Sequence, residues 1–170
     1  LQMILKKMIV ENFRLLKNFE LEFEDKLSLV IGKNNCGKTS TIIILDKMLN
    51  SSKVMWEDIN LECQKELYEK IIKFDTYEQK KVSSLEAINL KLFIKYNDKD
   101  SYANIQKFMM DLNPENNIVV IEFNYNCKTD KVKELKDKLK DLKISTKNDE
   151  NKFIKKKKKN HDKYFTLDIY

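Results

Sequence analysis

Glycine occurs only twice in this 170-residue sequence, and proline once. An average chain of this length would hold about twelve glycines, so glycine-paved linkers and collagen-like repeats are excluded. Cysteine is scarce as well. Cys36, Cys63 and Cys127 are odd in number and lack metal-ligand spacing, and His161 is the only histidine. Neither a zinc framework nor a disulfide scaffold fits, and a reduced, cytoplasmic setting follows. No run approaches the roughly 18 uninterrupted apolar residues of a membrane span. The opening residues, Leu1 to Lys7, lack the ordered regions of a signal peptide, so a membrane is not among the expected partners.

What is present is a charged chain with enough apolar residues for one core. Hydrophobic residues make up 42% and charged residues 35%, with a mean hydropathy of -0.57. The formal charge is +6, but residues 151–170 hold seven lysines against two aspartates. The remaining 150 residues are close to neutral and carry no strong global field.

Organisation follows from periodicity. An apolar run over residues 3–10 is broken at Glu11-Asn12-Phe13-Arg14. Phe19, Leu21 and Phe23 then alternate with glutamates, and Leu27, Leu29 and Ile31 alternate again. The pattern predicts a strand and then a hairpin whose second arm runs into a glycine loop. Ile42, Ile43, Leu45, Met48 and Leu49 suit a helix laid on a sheet, which Asn50-Ser51-Ser52 ends. Residues 57–81 and 101–112 read as helical. Ile88 to Tyr96 and Val119 to Cys127 alternate as half-buried strands. Val132, Leu135, Leu139 and Leu142 step along a charged helix in a stripe too short for a coiled coil. Residues 145–163 read as a lysine-rich connection, and Phe165, Leu167 and Ile169 as one face of a further strand. That division predicts one domain over 1–144, and over 145–170 a lysine-rich connection with the start of a further strand.

Gly32-Lys33-Asn34-Asn35-Cys36-Gly37-Lys38-Thr39 matches GxxxxGK[ST] at every fixed position, and it uses both glycines of the chain. An apolar stretch precedes it and a helical pattern follows. Glycine allows the backbone to approach phosphate closely, and successive N–H groups at the helix start form a partly positive nest. Lys38 is expected to reach the β- and γ-phosphates of ATP and Thr39 to ligate Mg2+. Asn34 and Asn35 tolerate left-handed backbone. Gly32, Asn34, Asn35, Cys36, Gly37, Lys38, Thr39 and Ser40 make up the expected binding set. A thiol at Cys36 either makes binding oxidation-sensitive or has no role.

Ile9-Val10-Glu11-Asn12-Phe13-Arg14, the hairpin and Leu29 to Thr39 together resemble the opening of RecF/SMC-type, ABC-class ATPase heads. Among these they are most similar to the AAA-15-like heads of OLD-family (overcoming lysogenization defect) ATP-dependent nucleases and related phage-defence ATPases. The likeness is close over residues 3–50 and rests on element order over 51–127. Cys36 stands where serine is more usual, and Lys33 where proline is frequent. The resemblance implies an α/β P-loop NTPase fold, an ABC-ATPase-like head present in part. It has a mixed sheet, an antiparallel N-terminal hairpin and a small α+β extension. It also implies an ATP-binding role in DNA processing or phage defence, a homodimer formed through the head, and DNA as a partner of the full-length protein. Arg14 either lies near the phosphates or fixes the hairpin from the surface.

Such heads also need a Walker B acid pair, a signature motif from a second subunit and a switch histidine. Ile118-Val119-Val120-Ile121-Glu122 imitates Walker B, but Phe123 follows where a second acid is required, so a plain strand is expected. Neither a signature motif nor the clustered acids of a Toprim nuclease are discernible. The expectation is therefore a nucleotide-binding chain with negligible hydrolysis of its own. Two other readings stand beside it: a non-catalytic nucleotide-binding module that controls association, and a P-loop kinase or transferase. Lys155 to Lys159 read either as DNA-phosphate contacts or as a solvated linker.

Overall fold

The computed structural model describes residues 3–33, 36–50, 53–74, 84–97, 117–141 and 164–170. The helix expected over 101–112 and the connection over 145–163 lie outside them. Two strands, β1 (Ile4–Phe13) and β2 (Leu16–Glu22), form a hairpin. It is followed by α1 (Lys38–Leu49), a 3-10 turn (Trp56–Asp58) and α2 (Leu61–Lys73). Then come β3 (Ser84–Lys95), β4 (Ile118–Lys128), α3 (Thr129–Asp141) and β5 (Thr166–Ile169).

The five strands make one sheet in the order β2-β1-β3-β4-β5. Every pairing in it is antiparallel, so the mixed sheet expected from sequence has no parallel pair among the described residues. Period-two alternation divides its faces. In register, Val10 meets Leu90 and Leu90 meets Phe123 on one face, all buried. Lys91 opposite Glu122 belongs to the other face. The apolar face and the helices share one core, built from Met8, Val10, Leu90 and Leu92 with Ile44 and Met48 of α1, Leu67 and Ile71 of α2, and Val132 and Leu135 of α3.

Two expectations change. The alternating segment from Leu27 to Ile31 joins no strand among the described residues. Leu27 and Ile31 stand 80% and 82% exposed. Alternation supplies a side-chain pattern, but a strand also needs backbone partners, and none lies alongside among the described residues. The hairpin is instead made earlier, by β1 turning directly into β2. Second, α1 presents Ile44 and Met48 to the core and leaves Ile42 and Leu49 exposed. Its buried stripe is therefore turned from the one expected. At the end of the chain, β5 pairs with β4 from Phe123–Ile169 to Asn126–Thr166.

Local chemistry accounts for the connections. Asn60 caps α2, its side chain accepting from the Glu62 N–H at 3.0 Å. Phe165, just before β5, stacks on Tyr125 with ring centroids 5.2 Å apart and meets Trp56 edge-on at 5.7 Å. These contacts seat the 3-10 turn against the sheet.

Candidate functional site

The glycine loop enters α1 at Gly37, the helix N-cap, whose φ of 94° lies in the left-handed region. No side chain caps this helix, and its first turn has no acid. Its leading N–H groups are therefore left for an anion. Lys38 sits at the first helical position with its ammonium folded back over the loop. It donates to the carbonyls of Gly32 and Lys33, the latter at 2.6 Å, and lies 3.6 Å from Cys36 Sγ. Thr39 is exposed, and Ser40 and Thr41 are buried. The Thr41 hydroxyl turns back to the Lys38 carbonyl.

The two glycines are needed for different neighbours. A Cβ on Gly32 would come within 2.7 Å of Cys36 Sγ. One on Gly37 would come within 2.7 Å of a Leu16 methyl, at a φ that side chains rarely adopt. Gly32, Cys36 and Lys38 thus meet in the loop, with Gly37 and Thr39 on either side of Lys38 in the chain. Asn34 and Asn35 lie outside the described residues.

These residues fit a nucleotide polyphosphate with its magnesium. The uncapped, acid-free helix start suits anionic oxygens. Lys38 holds its charge over the loop on acceptors that phosphate oxygens can replace, and Thr39 offers an exposed hydroxyl as a hard oxygen ligand.

Arg14 pairs with a buried acid. Its Nε and Nη2 donate to Asp58 at 2.9 and 2.8 Å, and the Asp58 side chain is only 2% exposed. Sequence reasoning passed over Asp58, and no motif around it signals the role; a buried aspartate becomes visible only in the fold. Glu122, the Walker B imitation, lies in antiparallel β4 beside Lys91 (3.5 Å) and Asn89.

A groove of about 490 Å³ beside α2 includes Cys63, Glu66 and Lys70 in its lining and shares no residue with the loop. Burial pushes the Cys63 thiol up to about 11, and that of Cys127 to about 12. Both stay protonated near neutrality and are poor metal ligands there. No cluster of metal-binding side chains occurs among the described residues, nor any helix long and apolar enough to cross a membrane.

Comparison with known proteins gives three findings. Residues 3–170 match the family model of the AAA ATPase domain (AAA_15). Endonuclease GajA of Bacillus cereus (strain HuB5-5) is 32% identical over 148 residues, an alignment taking in 71% of this chain and 22% of that protein. The chain thus spans about a fifth of that relative's length. A solved structure from work on ATP-driven dimerization and DNA stimulated activation of SMC ATPases gives a TM-score of 0.38 at 16% identity, covering 89% of this chain and 91% of that one.

Proposed function

The chain belongs to the AAA ATPase domain family, and from that premise we propose that it is the ATP–magnesium-binding segment of an OLD/RecF-like protein acting in DNA processing or phage defence. The observation that carries the reading is the loop from Gly32 to Thr39, which leads into an uncapped helix with Lys38 at its first position. Backbone N–H groups of the loop and of Lys38, Thr39 and Ser40 bind phosphate oxygens. Lys38 exchanges its carbonyl acceptors for the β- and γ-phosphates, and the Thr39 hydroxyl holds magnesium. When bound, the metal neutralises charge on the phosphate oxygens.

Hydrolysis belongs to the whole protein. The described residues place no acid pair beside the loop, and Glu122 is engaged by Lys91 and Asn89 across the sheet. A homodimer through this head, which brings a signature motif from the second subunit, is part of the same proposal. So are DNA as the whole protein's substrate and a cytoplasmic setting. The likeness to a protein named as an endonuclease supports the DNA assignment.

Calorimetric titration of the chain with ATP, with and without magnesium, tests the reading. Saturable, magnesium-dependent binding with turnover below about one per second is the expected result. Absence of binding would overturn it, and ordinary turnover by the chain alone would overturn the division of labour.

A further inference from the structure

Three segments meet at the buried carboxylate of Asp58. Arg14, at the tip of the β1–β2 hairpin, donates to Oδ1 through Nε and Nη2. Lys47, in the last turn of α1, reaches Oδ2 at 3.0 Å, and the Met55 N–H donates to the same oxygen at 3.0 Å. Lys47 is itself only 14% exposed and also donates to the Lys53 carbonyl at 2.6 Å. One carboxylate therefore balances two cations that come from different elements.

Backbone bonds extend the junction towards α2. The Arg14 N–H donates to the Asp58 carbonyl and the Asn60 N–H to the Asn12 carbonyl, each at 2.8 Å. The Asn60 side-chain amide donates to the Arg14 carbonyl at 2.6 Å. Phe13 and Ile59 form a β-bridge between them. Asn12 and Arg14 hold left-handed backbone, at φ 61° and 51°. A non-glycine residue keeps such a conformation when its surroundings over-determine it, and here both faces of the turn are hydrogen-bonded. The same Asn60 caps α2.

Resting on the ATP reading above, we infer that Asp58 is a positioning residue that carries the nucleotide state of the loop to the β1–β2 turn and the start of α2. The helix that begins at the phosphate loop carries, in its last turn, the lysine that grips Asp58. A shift of α1 when phosphate engages its first turn therefore pulls on a carboxylate bonded to both other elements. The coupling is physical because the tie is short, buried and ionic.

Amide hydrogen exchange of the chain, with and without ATP–magnesium, tests it. In the wild type, nucleotide is expected to slow exchange in the first turn of α1 and at residues 58–64. Lys47→Met keeps the aliphatic stem and the Arg14–Asp58 pair but cuts the tie to α1. It is expected to keep the slowing at α1, lose it at 58–64, and weaken ATP affinity about two- to thirty-fold. Asp58→Asn, checked for folding by thermal melting, should behave alike. Slowing at 58–64 that survives in Lys47→Met overturns the inference, as does wild-type slowing confined to the loop, which leaves the ATP reading intact. A wild type that shows no nucleotide effect anywhere overturns both.

Discussion

Leu16 lies against Gly37: a methyl of the first residue of β2 fills the space where the loop glycine would carry a side chain. The hairpin is therefore part of the wall behind the glycine loop, which explains why Leu16 is buried while its neighbour Leu15 is exposed.

Gly37→Ala should be destabilising for two separable reasons. The left-handed backbone costs a side chain about 1–2 kcal/mol, and the forced contact with Leu16 about 1–3 kcal/mol. A melting temperature lower by roughly 4–20 °C is expected for a chain of this size. Adding Leu16→Ala should remove the crowding but not the backbone cost, so it should not restore the wild-type value. Unchanged melting of Gly37→Ala would show that the loop does not adopt this geometry.

Lys38 and Thr39 should fail differently. Lys38→Met removes a charged donor whose bonds contribute about 1.5–3 kcal/mol, so ATP affinity should fall about 10- to 100-fold. Its melting temperature should barely move, because among the described residues the ammonium bonds to Gly32, Lys33 and Cys36 of the loop. Thr39→Ala should lose the benefit of magnesium while keeping its affinity in the presence of a chelator. Titrations in both buffers separate the two, and an unchanged magnesium dependence in Thr39→Ala would remove it as a metal ligand.

The two buried thiols predict an alkaline limb. Burial holds Cys63 and Cys127 at about 11 and about 12, above the ordinary value of 9.0. The folded state therefore keeps protons that the unfolded state releases, and stability must fall as pH rises from about 9 through those values. Melting curves from pH 8 to 11 should slope downward, and a Cys63→Ala/Cys127→Ala variant should show a shallower slope. Equal slopes would mean the lysines alone set the limb.

Much of the fold was legible because its signals are local. The alternation of Ile88 to Tyr96 and Val119 to Cys127 marks β3 and β4, and Leu67, Ile71 and Phe74 mark the buried side of α2. The GxxxxGK[ST] spacing was also legible, and its second glycine and the lysine stand at the start of α1. What depends on distant partners was not. Leu27 to Ile31 carry the pattern of a strand, but the pattern says nothing of whether a neighbour lies within bonding reach. Arg14 stood out beside the motif, yet its partner Asp58 is 44 residues away. The pairing of β5 with β4 was equally silent, since edge partners share no spacing rule.

The uncovered stretch from Leu27 to Ile31 also bears on how the chain behaves in a tube. Its apolar side chains are exposed, its backbone groups have no ladder among the described residues, and Ile42 and Leu49 of α1 are bare as well. Such a segment is a template for like segments of other molecules. Light scattering should rise with protein concentration and with time, and Leu29→Lys should suppress that rise without altering ATP affinity. A chain whose glycine loop is led into by such an exposed apolar stretch is expected to lose monodispersity on storage before it loses its fold.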